Sequence, residues 1–316
     1  MSGDGFDPPP GFTRLDRAAW AAWSGRARSA PSGPPVAPVT VDEWVDVYAP
    51  LATLITQLAT ASDCSPYLIA LAGSVAAGKS TVARGLSTLL SAPAGLSALA
   101  GLSGPAGLSG PAGLSALAGA AGYETAIVST DGFLLPNSML GPRGRAGHKG
   151  FPDTYDRELM DRVLGQIAAA EPDVGVPLYS HETFDTGTEQ QVVSGAGVVI
   201  VEGVNAFDGG SVCQLRIYLD AAEPDLRAWF VVRFLGLIDE ARTDDTSFYA
   251  QWVDLAPADA HALAVAVWEG INLVNLEEHI LPRRWSADVV LRKGADHRVT
   301  SVAVRTALLP FGEGRA

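Results

Sequence analysis

Cysteine is scarce in this chain of 316 residues, which contains two, Cys64 and Cys213. They are far apart in the sequence and form no metal-binding or redox spacing. We expect each of them to be a small core or surface residue. Such usage fits a reducing compartment, and we predict a cytoplasmic protein.

Basic residues are also in short supply, with 22 Lys and Arg against 35 Asp and Glu and a formal net charge of −13. This balance argues against nucleic acid or an anionic membrane as the main partner. The first ten residues are acidic and rich in proline, and they lack the basic and then apolar pattern of a signal peptide.

Charge is absent altogether from Ser87 to Tyr123, so a membrane span has to be considered there. Three prolines argue against a membrane span, namely Pro93, Pro105 and Pro111, and so does the high content of Gly and Ser.

An internal repeat of six residues occupies this uncharged stretch. Residues 94–99 and 112–117 read AGLSAL, and the two copies between them read AGLSGP. Such small residues cannot build a core, so we interpret an insertion at about 91–122 as a mobile surface excursion, with a contact role as the alternative.

A glycine-rich motif fits the pattern G-x-x-x-x-G-K-[ST] and is typical of a phosphate-binding loop. It follows an apolar run at 67–72 that predicts a buried strand, and it precedes a helical pattern at 81–90. We expect the backbone N–H groups and the helix N-terminus to hold a nucleotide phosphate, through Gly73, Ser74, Val75, Ala76, Ala77, Gly78, Lys79, Ser80 and Thr81.

Two side chains of this loop have expected roles of their own. Lys79 would reach the β- and γ-phosphates of ATP, and the Ser80 hydroxyl would bind Mg²⁺. The alternative, a chance glycine turn, is disfavoured because a strand pattern and a helix pattern flank the motif.

Strand and helix patterns alternate along the rest of the chain. Strands are predicted at about 125–130, 198–201, 215–220, 287–292 and 299–305. Helices are predicted from Thr40, at 156–170, 224–242 and 258–280, and residues 176–181 are read as extended or loop. This order favours an α/β fold of the three-layer P-loop NTPase type, a mainly parallel sheet with helices on both faces.

The predicted domain spans residues 40–316. Thr40 and Glu43 form a T-x-x-E capping box at its first helix, and Pro50 should kink or divide that helix. Residues 1–39 are rich in Pro, Gly, Ala and Ser, and we predict a largely disordered or loosely attached segment except around 12–23.

Two acidic residues follow predicted strands at the edge where the phosphate loop is expected. Asp131 could accept a proton from a substrate hydroxyl, and Glu202 could hold Mg²⁺ with Ser80. Arg233 lies on an otherwise apolar helix, where either a substrate anion or an internal salt bridge would satisfy it. Loop capping is the alternative role for Asp131. These residues alone indicate an ATP-dependent kinase or another P-loop NTPase.

The motifs also resemble a known family in their wording and order. They are similar to the motifs of bacterial type I pantothenate kinase. The stretches that carry this resemblance are, in chain order, GSVAAGKST, STDGFLLPN, KGFPDTYD, PLYSHETFD, VIVEGVN, WFVVRF, WEGINLVNLEEHILPRR and KGADH. The resemblance runs from about Phe12 to Arg305. It implies phosphorylation of pantothenate to 4'-phosphopantothenate with ATP and Mg²⁺, the first step of coenzyme A biosynthesis.

The resemblance implies roles for individual residues. Asp131 would orient the pantothenate hydroxyl as the base, Arg233 would contact the transferring phosphate and the substrate, and Lys149 would add positive charge to the phosphate site. Substrate contacts are implied for Tyr179, His181, Asn272 and Phe230, and an adenine contact for His297. The alternatives are structural roles: a buried structural histidine for His181, a helix-surface amide for Asn272 and a solvent-facing loop residue for His297.

Regulation and assembly are implied as well. The family is inhibited by coenzyme A, for which Lys79, Arg84 and His181 are candidate contacts, and it forms homodimers. Phe230 stands where an aromatic hydroxyl is usual, which would remove one substrate hydrogen bond. Leu237 stands where an aromatic residue is usual, which would loosen the pocket and weaken this inhibition. The segment at 56–66 is shorter than usual, which could alter the dimer contacts.

Other readings remain open from the sequence. Uridine kinase and phosphoribulokinase share the P-loop and a catalytic acid after the next strand, but the YSH and IN-x-x-NL stretches disfavour them. A nucleotide- or coenzyme A-binding regulator without activity would require loss of Asp131, Lys79 or Arg233, and all three are present.

Overall fold

A seven-stranded sheet forms the centre of the molecule. The structure, a computed structural model, describes residues 6–23, 38–92, 122–209 and 212–309. The strand order is β1-β9-β8-β7-β2-β6-β3, and a separate two-stranded hairpin is formed by β4 and β5. The strands are β1 Phe12–Asp16, β2 Tyr67–Gly73, β3 Thr125–Ser129, β4 Val174–Ser180, β5 Asp185–Val193, β6 Val198–Glu202, β7 Leu215–Asp220, β8 Val289–Lys293 and β9 Val299–Arg305.

Five neighbouring strands, from β8 to β3, are parallel, whereas β9 and β1 add an antiparallel edge. The main helices are α1 Arg17–Trp23, α2 Ala49–Ala61, α3 Lys79–Ser91, α4 Arg157–Ala168, α5 Glu223–Glu240 and α6 Pro257–Val267. The predicted mainly parallel α/β fold is therefore confirmed, and the predicted helices and strands are present within a few residues of their expected bounds.

The central strands are apolar on both faces because both faces are covered. All residues of β2 and β6 are buried. Alternate side chains point to opposite faces, so Ile69 and Ile200 belong to one core, whereas Leu68 and Val199 belong to another. The first core includes side chains of α2, α3 and α5, and the second those of α4. Two cores on one sheet make the three-layer arrangement.

The helix that begins after Thr40 is wound differently from the prediction. Thr40 caps it as expected, since its hydroxyl accepts from the Glu43 N–H at 3.3 Å. The Glu43 carboxylate, however, accepts from the N–H of Val299 at 3.0 Å and not from Thr40, so the capping box is only half formed. A π-helical segment, Trp44–Tyr48, then precedes α2. This wider winding ends at Tyr48, and Pro50 lies in the first turn of α2, so the helical run is divided at this point as the sequence predicts.

The pattern at 258–280 also becomes a helical run with two π-helical segments. These are Trp268–Asn272 and Leu276–Ile280, with the short helix Leu273–Asn275 between them. Wide turns rotate the side chains that follow them, so the positions of Asn272 and Asn275 could not be read from a regular helical period.

The β4–β5 hairpin was missed in part by the sequence reading, which has residues 176–181 as extended or loop and assigns no strand at 185–193. Most of β5 is exposed, with the sequence DTGTEQQVV, and it therefore lacks an apolar run that would signal a strand. The hairpin packs on the turn that contains Asp131, which brings it to the edge of the main sheet.

Residues 12–23, which the sequence sets apart from the otherwise loosely attached N-terminal segment, are integral to the fold. Strand β1 pairs with β9 in register from Phe12 to Asp16, and Trp20 is fully buried with its indole N–H donating to the carbonyl of Val47 at 3.1 Å. Residues 1–5 and 24–37 of that segment, and the whole AGLS repeat at 94–117, lie outside the described residues. Within the described ranges, no helix combines the length and the apolar character that crossing a membrane requires.

We expect Trp20→Ala to destabilise the whole domain by about 3–5 kcal/mol, because it opens a cavity in the core and removes a hydrogen bond. The free energy of unfolding from urea titration measures this change. Val41→Ala, at a side chain that is 61% exposed, is the control and should change stability by less than about 0.5 kcal/mol. Equal stability of wild type and Trp20→Ala would mean that the N-terminal segment is not part of the cooperative fold.

Candidate active site

The carboxyl ends of β2, β6 and β3 lie side by side and carry the predicted phosphate loop, Glu202 and Asp131 in that order. The Ser80 hydroxyl donates to Oε1 of Glu202 at 3.1 Å. Asp131 and Glu202 line one cavity. Parallel strands expose their carboxyl ends at the same edge of the sheet, and the topology therefore brings these three features together as expected.

Two glycines give the phosphate loop its shape. Gly73 has φ of +152°, and a Cβ there would lie 2.7 Å from the carbonyl oxygen of Leu219 on β7. Gly78 has φ of +90° directly before α3. Ala76 also has a positive φ, of 64°. The backbone thus has a positive φ at three points of the loop, which brings N–H groups onto its inner side.

Lys79 lies at the first position of α3, and its ammonium group donates to the carbonyl of Ser74 at 3.0 Å. Burial lowers the pKa of Lys79, while the carboxylates of Glu202 and Asp131 raise it. Both acids therefore act electrostatically on the lysine that is expected to meet the phosphates.

Ser80 and Glu202 are suited to Mg²⁺ because hydroxyl and carboxylate oxygens are its preferred protein ligands. Their side chains converge within 3.1 Å, and Glu202 is buried. In the described part of the chain, no group of three or more His, Cys, Asp or Glu side chains could hold a metal ion. A two-residue site fits Mg²⁺, which is usually held by one or two protein groups together with waters and substrate phosphates.

A cavity of about 300 Å³ opens beside Asp131. Tyr179 and His181, the residues of the YSH motif, both line it, with their ring centroids 5.2 Å apart. Burial and the nearby Asp131 carboxylate raise the pKa of Tyr179, so its hydroxyl remains protonated and can donate. The cavity walls are Ile127, Ser129, Asp131, Gly132, Pro177, Leu178, Tyr179, His181, Gln191 and Glu202.

The hairpin reaches this cavity because its backbone touches the Asp131 turn. A Cβ on Gly132 would lie 2.0 Å from the carbonyl oxygen of Pro177 on β4. Only glycine allows so close an approach. The position of Tyr179 relative to Asp131 therefore depends on Gly132.

Lys149 holds the tip of the hairpin, whereas the sequence reading assigned it to the phosphate site. Its ammonium group donates to the carbonyl of Phe184 and lies 3.8 Å from the Asp185 carboxylate. It also lies 5.3 Å from the ring centroid of Tyr179 and 4.8 Å from that of Phe184. The charge of Lys149 is thus engaged by the hairpin itself.

Helix α5 supplies Phe230 and Arg233. Phe230 is buried and its ring lies 5.6 Å from that of Trp268 and 5.8 Å from that of Phe234. Arg233 is exposed, and within the described ranges its guanidinium makes neither an ion pair nor a hydrogen bond. Its positive charge contributes to lowering the pKa of Lys79, after burial of the lysine. The internal salt bridge considered for Arg233 is therefore not observed.

The IN-x-x-NL stretch has two different asparagines. Asn272 is half-buried, and its amide nitrogen lies 3.5 Å from the carbonyl of Val267 in the same helical run. Asn275 is buried, and its amide donates to the carbonyl of Gly150 at 2.9 Å. Asn275 thus connects this helical run to the KGFP loop, whereas Asn272 is the more accessible amide.

His297 lies outside the Asp131 cavity. It is exposed with φ of +65°, and its ring stacks on Trp229 with centroids 4.0 Å apart and planes at 21°. Burial and the charge of Lys293 lower the pKa of His297, so the imidazole is neutral at pH 7. A flat neutral ring pair of this kind is able to stack on a nucleobase.

Lys293, Gln191 and Tyr155 were missed as site residues. Lys293 is buried at the end of β8 and donates to the carbonyl of Ala77 at 3.0 Å. Gln191 donates to the carbonyl of Ile127 at 2.7 Å, and Tyr155 is buried with its hydroxyl unpartnered among the described residues. Asp131 and Glu202 were predicted because each is a charged residue at the end of an apolar strand. Lys293 also ends an apolar strand, so the same signal could have identified it.

We expect Gly73→Ala to weaken Mg·ADP binding at least about tenfold, because the added Cβ meets the backbone of β7 and forces the phosphate loop to shift. Isothermal titration calorimetry measures the dissociation constant. Gly165→Ala is the matched control, since a Cβ at that position of α4 meets nothing within 4 Å. Wild-type affinity in Gly73→Ala would contradict the assigned role of this close approach.

Known proteins with similar sequences are pantothenate kinases. The pantothenate kinase of Nitrobacter hamburgensis is 37% identical over 254 residues, which cover 76% of this chain and 72% of the relative. That of Halalkalibacterium halodurans is 34% identical over 296 residues, with 85% of each chain covered. No family model matches the chain.

The fold also has a counterpart among solved structures. A putative fructose transport system kinase from Silicibacter sp. TM1040 aligns with a TM-score of 0.52 at 24% identity, over 73% of this chain and 92% of that one. At this identity the likeness concerns the fold alone. The sequence relatives go further, because they exceed 30% identity and most of their length is covered: the chain belongs to the pantothenate kinase family.

Proposed function

We propose that this protein transfers the γ-phosphoryl group of ATP to the primary hydroxyl of pantothenate, giving 4'-phosphopantothenate for coenzyme A synthesis. The observation that carries the proposal is the placement of Asp131. Its carboxylate lines the cavity together with Tyr179 and His181, and it acts electrostatically on Lys79 of the phosphate loop. A proton acceptor thus lies between the expected acceptor site and the expected phosphate site.

The protein groups divide the work of phosphoryl transfer among them. Asp131 orients the pantothenate hydroxyl and accepts its proton as the oxygen attacks phosphorus. Lys79 and Arg233 neutralise the charge that develops on the transferring group. Ser80 and Glu202 would hold Mg²⁺, which when bound neutralises charge on the β- and γ-phosphates.

The substrates would occupy two sides of this centre. Tyr179 and His181 contact pantothenate from the hairpin, while Asn272 and Phe230 contact it from the helical side. His297, stacked on Trp229, receives the adenine on the other side of the phosphate loop. The cavity lining supports the contacts of Tyr179 and His181, and the ring stack supports that of His297. The contacts of Asn272 and Phe230 rest on the family resemblance, since neither residue lines the cavity.

Feedback by coenzyme A, a homodimer and a cytoplasmic location are also part of the proposal, and the family resemblance supports them. Coenzyme A would compete at the phosphate loop through Lys79, Arg84 and His181. Leu237 replaces an aromatic residue that is usual at its position, so we propose weaker inhibition than is usual for the family.

Asp131→Ala should lower the turnover number by about 10²–10⁴, the usual contribution of a positioned general base. Its Mg·ADP affinity should stay within about threefold of wild type, because Asp131 contacts the acceptor and not the nucleotide. Coupled ADP-release kinetics and calorimetry measure the two quantities. Asp161→Ala, at an exposed position of α4, is the control. Wild-type turnover in Asp131→Ala would remove Asp131 from the mechanism.

Acceptor identity is tested by ATP consumption with pantothenate, uridine and ribulose 5-phosphate, each with and without coenzyme A. We expect turnover with pantothenate but not with uridine or ribulose 5-phosphate, and we expect coenzyme A to inhibit the turnover of pantothenate in part. Activity with uridine or ribulose 5-phosphate but none with pantothenate would replace the proposed acceptor. ATP binding without consumption of any acceptor would instead support a regulator.

A further inference from the structure

Lys293 is a buried cation that the proposed reaction does not use. It ends β8, two strands away from the strand that leads into the phosphate loop, and it is 7% exposed. Burial lowers the pKa of its ammonium group, and the Glu43 carboxylate opposes this effect. A buried ammonium group is costly unless it is paired and hydrogen-bonded, and its contacts therefore call for an explanation.

The contact of Lys293 with the phosphate loop is direct. Its ammonium group donates to the carbonyl of Ala77 at 3.0 Å, and a Cβ on Gly78 would lie 3.0 Å from the same nitrogen. In a planar trans peptide the C=O and the following N–H point in opposite directions. A hydrogen bond that holds the Ala77 carbonyl towards Lys293 therefore turns the Gly78 N–H away from it, to the other side of the loop.

Glu43 is placed to keep this lysine charged. Its carboxylate accepts from the N–H of Val299, and Val299 pairs with Lys293 in the β8–β9 ladder. Glu43 belongs to the helical turn Val41–Glu43, which leads into the π-helical segment, and Gly85 of α3 packs against that segment through Trp44 and Tyr48. The N-terminal helical region thus reaches both the phosphate-loop helix and the lysine.

Lys293 lies between two parts of the expected nucleotide site, the phosphate loop and the Trp229–His297 ring stack. Its ammonium nitrogen lies 5.8 Å from the ring centroid of Trp229, on which His297 stacks. The same group that holds the phosphate loop therefore adjoins the ring stack proposed for adenine.

We propose that Lys293 is a positioning residue for the nucleotide phosphates: it binds the carbonyl of Ala77 and so orients the Gly78 N–H of the phosphate loop, with Glu43 as its counter-charge. The inference rests on the proposed use of ATP at this loop and is independent of the acceptor. Lys293 acts through the loop, whereas Lys79 meets the phosphates themselves.

The test is Lys293→Met, which keeps the length of the side chain and removes the charge and the donor. We expect its Mg·ADP dissociation constant and its KM for ATP to rise about tenfold or more, because a charge-assisted hydrogen bond is lost. KM for pantothenate should stay within about twofold. Calorimetry with Mg·ADP and initial-rate kinetics give these values, and thermal unfolding reports the folded fraction.

Arg305→Met is the matched control. Arg305 is also a cation that donates to a backbone carbonyl, that of Ala287 at 3.2 Å, but it lies beside the amino end of β8, remote from the phosphate loop. We expect this variant to lower Tm without changing the Mg·ADP dissociation constant. Unchanged Mg·ADP affinity in folded Lys293→Met would overturn the inference and leave Lys293 a structural role. Failure of the wild type to phosphorylate pantothenate, with a weakened Mg·ADP complex in Lys293→Met, would refute only the acceptor.

A second variant tests the pair without deleting the lysine. Glu43→Gln can still accept from Val299, but it removes the charge that raises the pKa of Lys293. The ammonium group of Lys293 would then lose its proton at a lower pH. Because the charged form is the one that holds the Ala77 carbonyl, the fall of Mg·ADP affinity between pH 7.5 and 10 should begin at a lower pH than in wild type. His297 beside Lys293 has a lowered pKa and is neutral throughout this range. The pKa of Lys79 is also lowered by burial, but Lys79 is common to both proteins, so a difference between the two profiles reports Lys293. Superimposable profiles would overturn the role given to Glu43.

Discussion

Buried positive charge beside the phosphate loop has to be balanced by carboxylates, and this requirement organises the carboxyl edge of the sheet. Lys79 is opposed by Glu202 and Asp131, and Lys293 is opposed by Glu43. Removing an ion from water costs several kcal/mol unless partners compensate. In a chain with a net charge of −13, positive charge is concentrated where a polyanionic nucleotide is expected. The two acids that stabilise Lys79 are also those with the chemistry for metal binding and proton transfer.

Parallel topology is what makes this arrangement possible. The central strand β2 lies between β6 and β7, and the chain leaves all three at the same edge. The loop after β2 is therefore flanked by Glu202 on one side and by the close approach of Leu219 to Gly73 on the other. Residues separated by more than a hundred positions become neighbours through strand order alone.

Much of this could be predicted from the sequence because the signals are local. The runs YLIALA and VVIV are buried on both faces, and a parallel strand buried in this way has a continuous apolar sequence. The glycines of the phosphate loop, Asp131 and Glu202 follow such runs directly. The roles of Tyr179, His181 and Asn272 came from the family resemblance and not from the pattern, and they stay predictions.

The remaining features depend on contacts that no local pattern encodes. The contact of Lys293 with Ala77 spans 216 positions. Glu43 was expected to cap its own helix, but the N–H of Val299 was the partner that the tertiary fold supplied. Strand β5 is mostly exposed and polar. Lys149 was expected to add positive charge to the phosphate site, but its ammonium group donates to the hairpin carbonyl of Phe184.

The hairpin has one more consequence, which concerns solubility. Strand β3 is the last strand of the sheet on its side, and an edge strand presents unpaired backbone groups that can recruit a strand from another chain. Gln191 of β5 donates to the carbonyl of Ile127 on β3, so a side chain occupies part of that edge. The structure that forms a wall of the substrate cavity thereby also protects the sheet against edge-to-edge aggregation.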